Sequence, residues 1–134
     1  MHGRSREWLK FKCAHEQELV IGGYTAPQGS RTEFGALLVG YFEDGRLGYA
    51  GKVGTGFDRR TLEQLGRRLR SLERDSPPFA DVHPIPRGTR WIEPELVAQV
   101  GFGEWTRDGR LRHPRYLGLR EDKPAREVVR ERPS

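Results

Sequence analysis

Two Asp-Gly pairs, Asp44-Gly45 and Asp108-Gly109, each stand between short runs rich in apolar and aromatic residues. Asp-Gly accepts the positive φ that tight turns demand, so each pair predicts two antiparallel strands joined by a hairpin. Phe34 to Phe42 and Leu47 to Val53 flank the first turn. Arg90 to Trp105 and Leu111 to Leu119 flank the second, with Pro94 expected at an edge or a bulge because it cannot donate to a ladder. Upstream, Trp8 to Lys12 and Glu18 to Ile21 also read as strands. A Gly22-Gly23 break ends the latter and leads into a loop, Thr25 to Arg31.

One segment departs from strand spacing. Leu62, Leu65, Leu69 and Leu72 recur at three and four residues, which builds a single apolar stripe on a helix from about Arg59 to Leu72. Asp58 is placed to cap it and Phe57 to staple against Leu62. A loop rich in proline follows, with Pro77, Pro78, Pro84 and Pro86. Gly51-Lys52-Val53-Gly54-Thr55-Gly56 resembles a phosphate loop only superficially. It lacks the Gly-Lys-Ser/Thr ending of such loops and the glycine order of a dinucleotide fold, so it reads as a strand end and a turn before the helix.

At 134 residues there is room for one domain of ordinary size. Hydrophobic residues make up 34% and charged residues 32%, so the core must be thin, as in a small barrel. Mainly β architecture of about five to six strands with one interposed helix (about 59–72) fits an OB-fold, a Greek-key barrel that binds oligonucleotides on one face. Other small barrels share the pattern. The expected layout is a disordered or tag-like stretch at 1–6, the barrel at 7–123, and a charged tail at 124–134. Trp91 and Trp105 are expected in the core, with base-stacking platforms as the alternative.

The single Cys13 excludes an internal disulfide, and His2, His15, His83 and His113 show no zinc-ligand spacing. No apolar run approaches the roughly 18 residues of a membrane span, and Met1 to Arg6 is polar, so a soluble protein of the reducing cytoplasm is expected. A net charge of +5 and a pI near 9.8 favour a polyanionic partner such as nucleic acid. A basic but indifferent surface is the plain alternative.

Two segments carry chemistry. On a strand, Trp8, Lys10 and Lys12 share one face, which sets two ammonium groups roughly 7 Å apart, a spacing suited to a nucleotide phosphate. Lysines guarding an exposed edge strand would look the same. The second segment, Arg112 to Lys123, gathers Arg112, His113, Arg115, Arg120 and Lys123 with Asp122 among them. Such a cluster suits the clamping of a triphosphate's leaving group, or else a solvated basic strand whose Glu121 and Asp122 pair with Arg120 and Lys123.

Taken in order, the two segments resemble motifs V and VI of the covalent nucleotidyltransferases, the second ending in the RxDK element Arg120-Glu121-Asp122-Lys123. Between them, Val20-Ile21-Gly22-Gly23-Tyr24-Thr25, Gly29-Ser30-Arg31, the run Phe34 to Gly40, and Tyr49 to Phe57 are similar to the C-terminal OB-fold domain of bacterial ATP-dependent DNA ligases of the ligase D type, used in non-homologous end joining. The resemblance covers about residues 7 to 126.

This resemblance implies a division of labour. In the family an adenylation domain carries a KxDG lysine that attacks ATP and becomes lysyl-AMP; no KxDG occurs here. ATP and Mg2+ would belong to the complete enzyme, with no metal held by this domain. The implied catalytic set is Lys10 and Lys12 on the α-phosphate, and Arg112, Arg120, Asp122 and Lys123 on the β and γ phosphates. A hinge near Cys13 to Glu16 would then swing the domain onto nicked DNA, where Arg31, Lys52, Arg59, Arg60 and Arg87 are expected on the backbone. Glu16 stands where the family pattern has a basic residue. Two other readings are a stand-alone OB-fold module that binds nucleic acid without catalysis and the OB half of an RNA capping enzyme. The retained motif VI argues against the first, and the Gly22 to Thr25 and Tyr49 to Phe57 stretches against the second.

Overall fold

Leu19, Val20 and Ile21 are consecutive and all fully buried, so the strand that holds them is covered on both faces. The computed structural model describes residues 15–27, 33–81, 85–86, 88–121 and 124–129. That central strand, β1 (His15–Tyr24), pairs antiparallel with β2 (Leu37–Glu43) on one side and with β5 (Arg90–Phe102) on the other. β2 turns into β3 (Arg46–Val53), and α1 (Arg59–Ser71) and the short β4 (Glu73–Arg74) intervene before β5. β6 (Glu104–Trp105) and β7 (Leu111–Arg112) form a separate hairpin, after which β8 (Arg115–Arg120) returns to β5.

The sheet runs β3-β2-β1-β5, with β4 and β8 both on the far side of β5. Three meandering strands, with a fourth that returns past a helix to lie beside the first, make a Greek key. β8 reaches back to the loop that follows β3, where the Tyr116 N–H donates to the Thr55 carbonyl at 2.9 Å. The fold is the mainly β OB type with one interposed helix, one of the small barrels that the strand and turn spacing allows and the one that the motif resemblance implies.

Both Asp-Gly turns form. Asp44 (φ 54°) and Gly45 (φ 78°) occupy the left-handed region together, which matches the twist of the flanking β2 and β3. At the second, Gly109 takes φ 79° and the Thr106 N–H donates to the Arg110 carbonyl at 2.7 Å. α1 begins where expected. The Asp58 carboxylate accepts from the Thr61 N–H at 2.8 Å, and Leu65 and Leu69 bury the apolar stripe. Phe57 lays its ring on Tyr116 at 4.9 Å and edge-on to Phe34 at 5.1 Å.

Several boundaries differ from expectation, each for a packing reason. Gly22-Gly23 does not end a strand: β1 continues to Tyr24 through a bulge. A Cβ on Gly22 would lie 2.5 Å from the Phe79 ring, and one on Gly23 would lie 2.8 Å from the Arg90 carbonyl. These glycines admit neighbours. The expected strand from Phe34 starts at Leu37, after Glu33 at φ 74°. The run expected to reach Trp105 bends at Gly103, and Pro94 falls where the β1–β5 register steps from Leu96 to Trp91, a bulge that spares it a ladder bond. The strand expected from Leu111 to Leu119 breaks at His113 (φ 56°) and Pro114.

Within the proline-rich loop, Phe79 is only 6% exposed and stands edge-on to Tyr49 and Trp91. Trp91 and Trp105 are partly buried against the core. The stretch expected to be a charged tail starts with a 3-10 turn, Ala125–Glu127, and then buries Val128. The Phe42 N–H donates to the Val128 carbonyl at 2.7 Å and the Gln17 amide to the Val129 carbonyl at 2.9 Å, because an apolar side chain here has core to reach. Trp8 to Lys12 lies outside the described residues, as does the Cys13 side of the expected hinge; His15 and Glu16 already belong to β1.

Candidate functional site

Alternation along β1 sends Gln17 and Leu19 inward and leaves Glu16 and Glu18 on the opposite face. β5 sets Gln99 across from Glu18 and Val97 across from Arg120, the last residue of β8. The Arg120 Nη1 therefore donates to the Glu18 Oε2 at 2.5 Å and to the Gln99 Oε1 at 3.1 Å. The Gln99 Nε2 in turn donates to the Glu16 Oε1 at 3.0 Å. A polar chain thus crosses three strands. The Arg120 side chain remains 40% exposed while that of Glu18 is only 13% exposed.

Arg112 sits apart from this chain, on β7 in the two-stranded sheet. Its Nε donates to the Glu104 carboxylate at 2.9 Å, with both partners more than half exposed. A pair in that setting contributes about 0 to 1 kcal/mol. The structure therefore places Arg112 and Arg120 on different sheets, separated by the His113-Pro114 break. Lys10, Lys12, Asp122 and Lys123 lie outside the described residues.

Among the residues expected on a nucleic-acid backbone, Lys52 is exposed on β3 opposite Leu38, next to buried Val53. Arg59 and Arg60 are exposed in the first turn of α1, which contains no acidic residue. Cations at the positive end of a helix cost it up to about 1 kcal/mol each, so helix stability does not explain them. The Asp58 carboxyl beside them is held below the usual carboxylate range, chiefly by the Thr61 N–H. Arg31 and Arg87 lie outside the described residues.

Sequence reasoning did not place Glu18 or Gln99 at the site. Their alternation with apolar neighbours was visible, but not the strand register that brings them to Arg120. It also did not reveal a groove of about 490 Å3 between α1 and β8, lined by Asp58, Thr61, Arg68, Tyr116 and Glu121 among others. Arg68 and Glu121 pair across it at 3.1 Å. Burial pushes the Tyr116 phenol up to about 12. Among the described residues no three side chains of His, Cys, Asp or Glu cluster to hold a metal, and no helix is long and apolar enough to cross a membrane.

Known proteins resemble this chain in sequence and fold. The multifunctional non-homologous end joining protein LigD of Pseudomonas aeruginosa is 46% identical over 98% of this chain, which covers 16% of that relative. LigD of Mycobacterium tuberculosis is 45% identical over 96% of the chain, which covers 17% of it. The chain therefore spans about a sixth of the length of these relatives. The crystal structure of the ligase domain from M. tuberculosis LigD superposes with a TM-score of 0.80 at 45% identity, over 87% of this chain and 39% of that one. A mycobacterial DNA ligase D complexed with ATP and MES gives a TM-score of 0.76 at 43% identity, over 87% and 38%. The model of the ATP dependent DNA ligase C terminal region matches residues 30–123, more than half of the sequence and inclusive of all of β2 to β8, and the chain belongs to that family.

Proposed function

We propose that this chain is the mobile OB half of a cytoplasmic ATP-dependent DNA ligase that acts in end joining. It assists adenylylation of a lysine on a partner adenylation domain and then grips nicked duplex DNA while the strand is sealed. The observation that carries this reading is Arg120. Its side chain stands at the end of β8, 40% exposed, and its Nη1 is tethered to Glu18, which is only 13% exposed. A charge held that way is aimed.

In the first step Lys10 and Lys12 would contact the ATP α-phosphate. Arg112, Arg120, Asp122 and Lys123 would close over the β and γ phosphates and orient pyrophosphate for departure. Positioning and charge neutralisation are most of what such a transfer needs. ATP and Mg2+ would serve the complete enzyme, and this domain would act through its cations. In the second step Lys52, Arg59 and Arg60, with Arg31 and Arg87, would lie along DNA phosphates, where the two helix-start arginines meet the negative charge their position favours.

The test compares the complete ligase with a form cut short before this domain, and with this chain alone. Mass spectrometry after incubation with ATP and magnesium should find lysyl-AMP on the complete enzyme. The shortened form should show little, and this chain, which has no KxDG lysine, none. Full adenylylation and sealing without the domain would leave it as a binding module only.

A further inference from the structure

The geometry points to Glu18 and Gln99 as positioning residues for Arg120, which fix its guanidinium for work on the departing pyrophosphate. This rests on the clamp role proposed above. Neither residue belongs to the Arg112 to Lys123 stretch or to the Trp8 to Lys12 stretch.

The burial of Glu18 separates this pair from ordinary surface pairs. Arg68–Glu121 and Arg112–Glu104 expose both partners by 45% or more, the setting in which ion pairs contribute little. Glu18 instead is 13% exposed between Gln17 and Leu19, which are buried. A carboxylate so placed needs a fixed partner, so it holds Arg120 as firmly as Arg120 holds it.

Gln99 adds direction. Its Nε2 is engaged by Glu16, so its Oε1 is the end turned to Arg120. Both tethers act at Nη1, the tip of a long side chain that would otherwise lose its rotamer freedom on ordering during the reaction. Ordering the group before ATP arrives removes that cost from the reaction. Arginine stays charged beside a carboxylate and carries five N–H donors in a planar fork, so a tether at one corner directs the fork without neutralising it.

The experiment is a mutant cycle in the complete ligase, read as single-turnover adenylylation across ATP concentrations. Glu18→Gln keeps shape and removes charge; Gln99→Leu removes the second acceptor and leaves Glu18 intact. Glu18→Gln should lower the maximal rate about tenfold to a hundredfold, with a smaller change in KM, the scale of misplacing a reacting group by a fraction of its reach. Glu18→Asp should recover part of the loss. Gln99→Leu should show a smaller loss of the same kind, which carries the test should Glu18→Gln fail to fold. In an Arg120→Ala background neither variant should cost anything further. Unchanged adenylylation in Arg120→Ala itself would overturn the clamp reading. If Arg120→Ala is slow while Glu18→Gln and Gln99→Leu are normal, or if they cost as much without Arg120 as with it, or if the loss falls on KM alone, the positioning role is wrong.

Discussion

The Tyr116 N–H donates to the Thr55 carbonyl at 2.9 Å, and the next residue, Gly56, lies so close that an added Cβ would sit 2.3 Å from the Tyr116 carbonyl oxygen. Gly56 also holds φ at +98°. The point where β8 meets the loop after β3 therefore requires glycine twice, once for backbone conformation and once for space.

Gly56→Ala should accordingly destabilise the fold by on the order of 3 kcal/mol, as strain and overpacking combine. Gly45→Ala is the control. Gly45 has φ +78° but nothing within 4 Å of an added Cβ, so only the conformational part, roughly 1 kcal/mol, should appear. Urea unfolding of both variants checks this, and equal losses would show that the closure is not tight.

Two tyrosines set an alkaline limit. Burial raises Tyr24 to about 12, helped by the hydrogen bond its hydroxyl donates to the Glu73 carboxylate, and burial raises Tyr116 to about 12 as well. Both folded values lie above the ordinary value near 10, so the folded state keeps its protons longer than the unfolded state. The stability they contribute is complete below pH 10 and is lost as pH climbs from about 10 to 12. Tyrosinate absorbance should show Tyr24 and Tyr116 titrating together with the loss of folded structure. Tyr24→Phe should weaken that dependence. Four tyrosines that ionise near pH 10 with the fold intact would contradict it.

What could be read in advance divides by distance along the chain. The two Asp-Gly hairpins and the Asp58-capped helix are local events, decided within a few residues, and they form where expected. Gly22-Gly23 misled because the atoms that demand glycine there belong to Phe79, Arg90 and Trp91. The burial of Phe79 and Val128 was hidden for the same reason, since each fills space made by remote strands. At the site, Arg112 and Arg120 stood out through their motif. Glu18 did not, because its meeting with Arg120 depends on the register of β1 against β5 and of β5 against β8.

Binding to duplex DNA by the isolated domain should be weak and electrostatic. Lys52, Arg59 and Arg60 are exposed and carry charge without any arrangement for reading base edges. Substituting each by Ala should weaken binding by a similar factor on every sequence and reduce the slope of log affinity against log salt by about one per cation that touches a phosphate. Fluorescence anisotropy on two unrelated duplexes across a salt series measures both. An affinity indifferent to salt, or strongly dependent on sequence, would count against these residues as backbone contacts.

The two jobs proposed for the domain separate at the level of single residues. If Arg120 and Lys123 act on the pyrophosphate leaving group alone, they matter while the lysine is adenylylated and are swung away when the nick is sealed. Arg120→Ala or Lys123→Ala in the complete ligase should then lose about a hundredfold or more in adenylylation, the scale seen when a charge-stabilising donor is removed. Sealing of a nick that already carries AMP should survive. Lys12→Ala should impair both steps, because the α-phosphate it is proposed to contact is present throughout. Quenched-flow measurement of each step with ATP, and separately with pre-adenylylated nicked DNA, resolves them. Equal loss in both steps for Arg120→Ala would make the end of β8 a general DNA-binding strand and would remove the reason for a tethered arginine there.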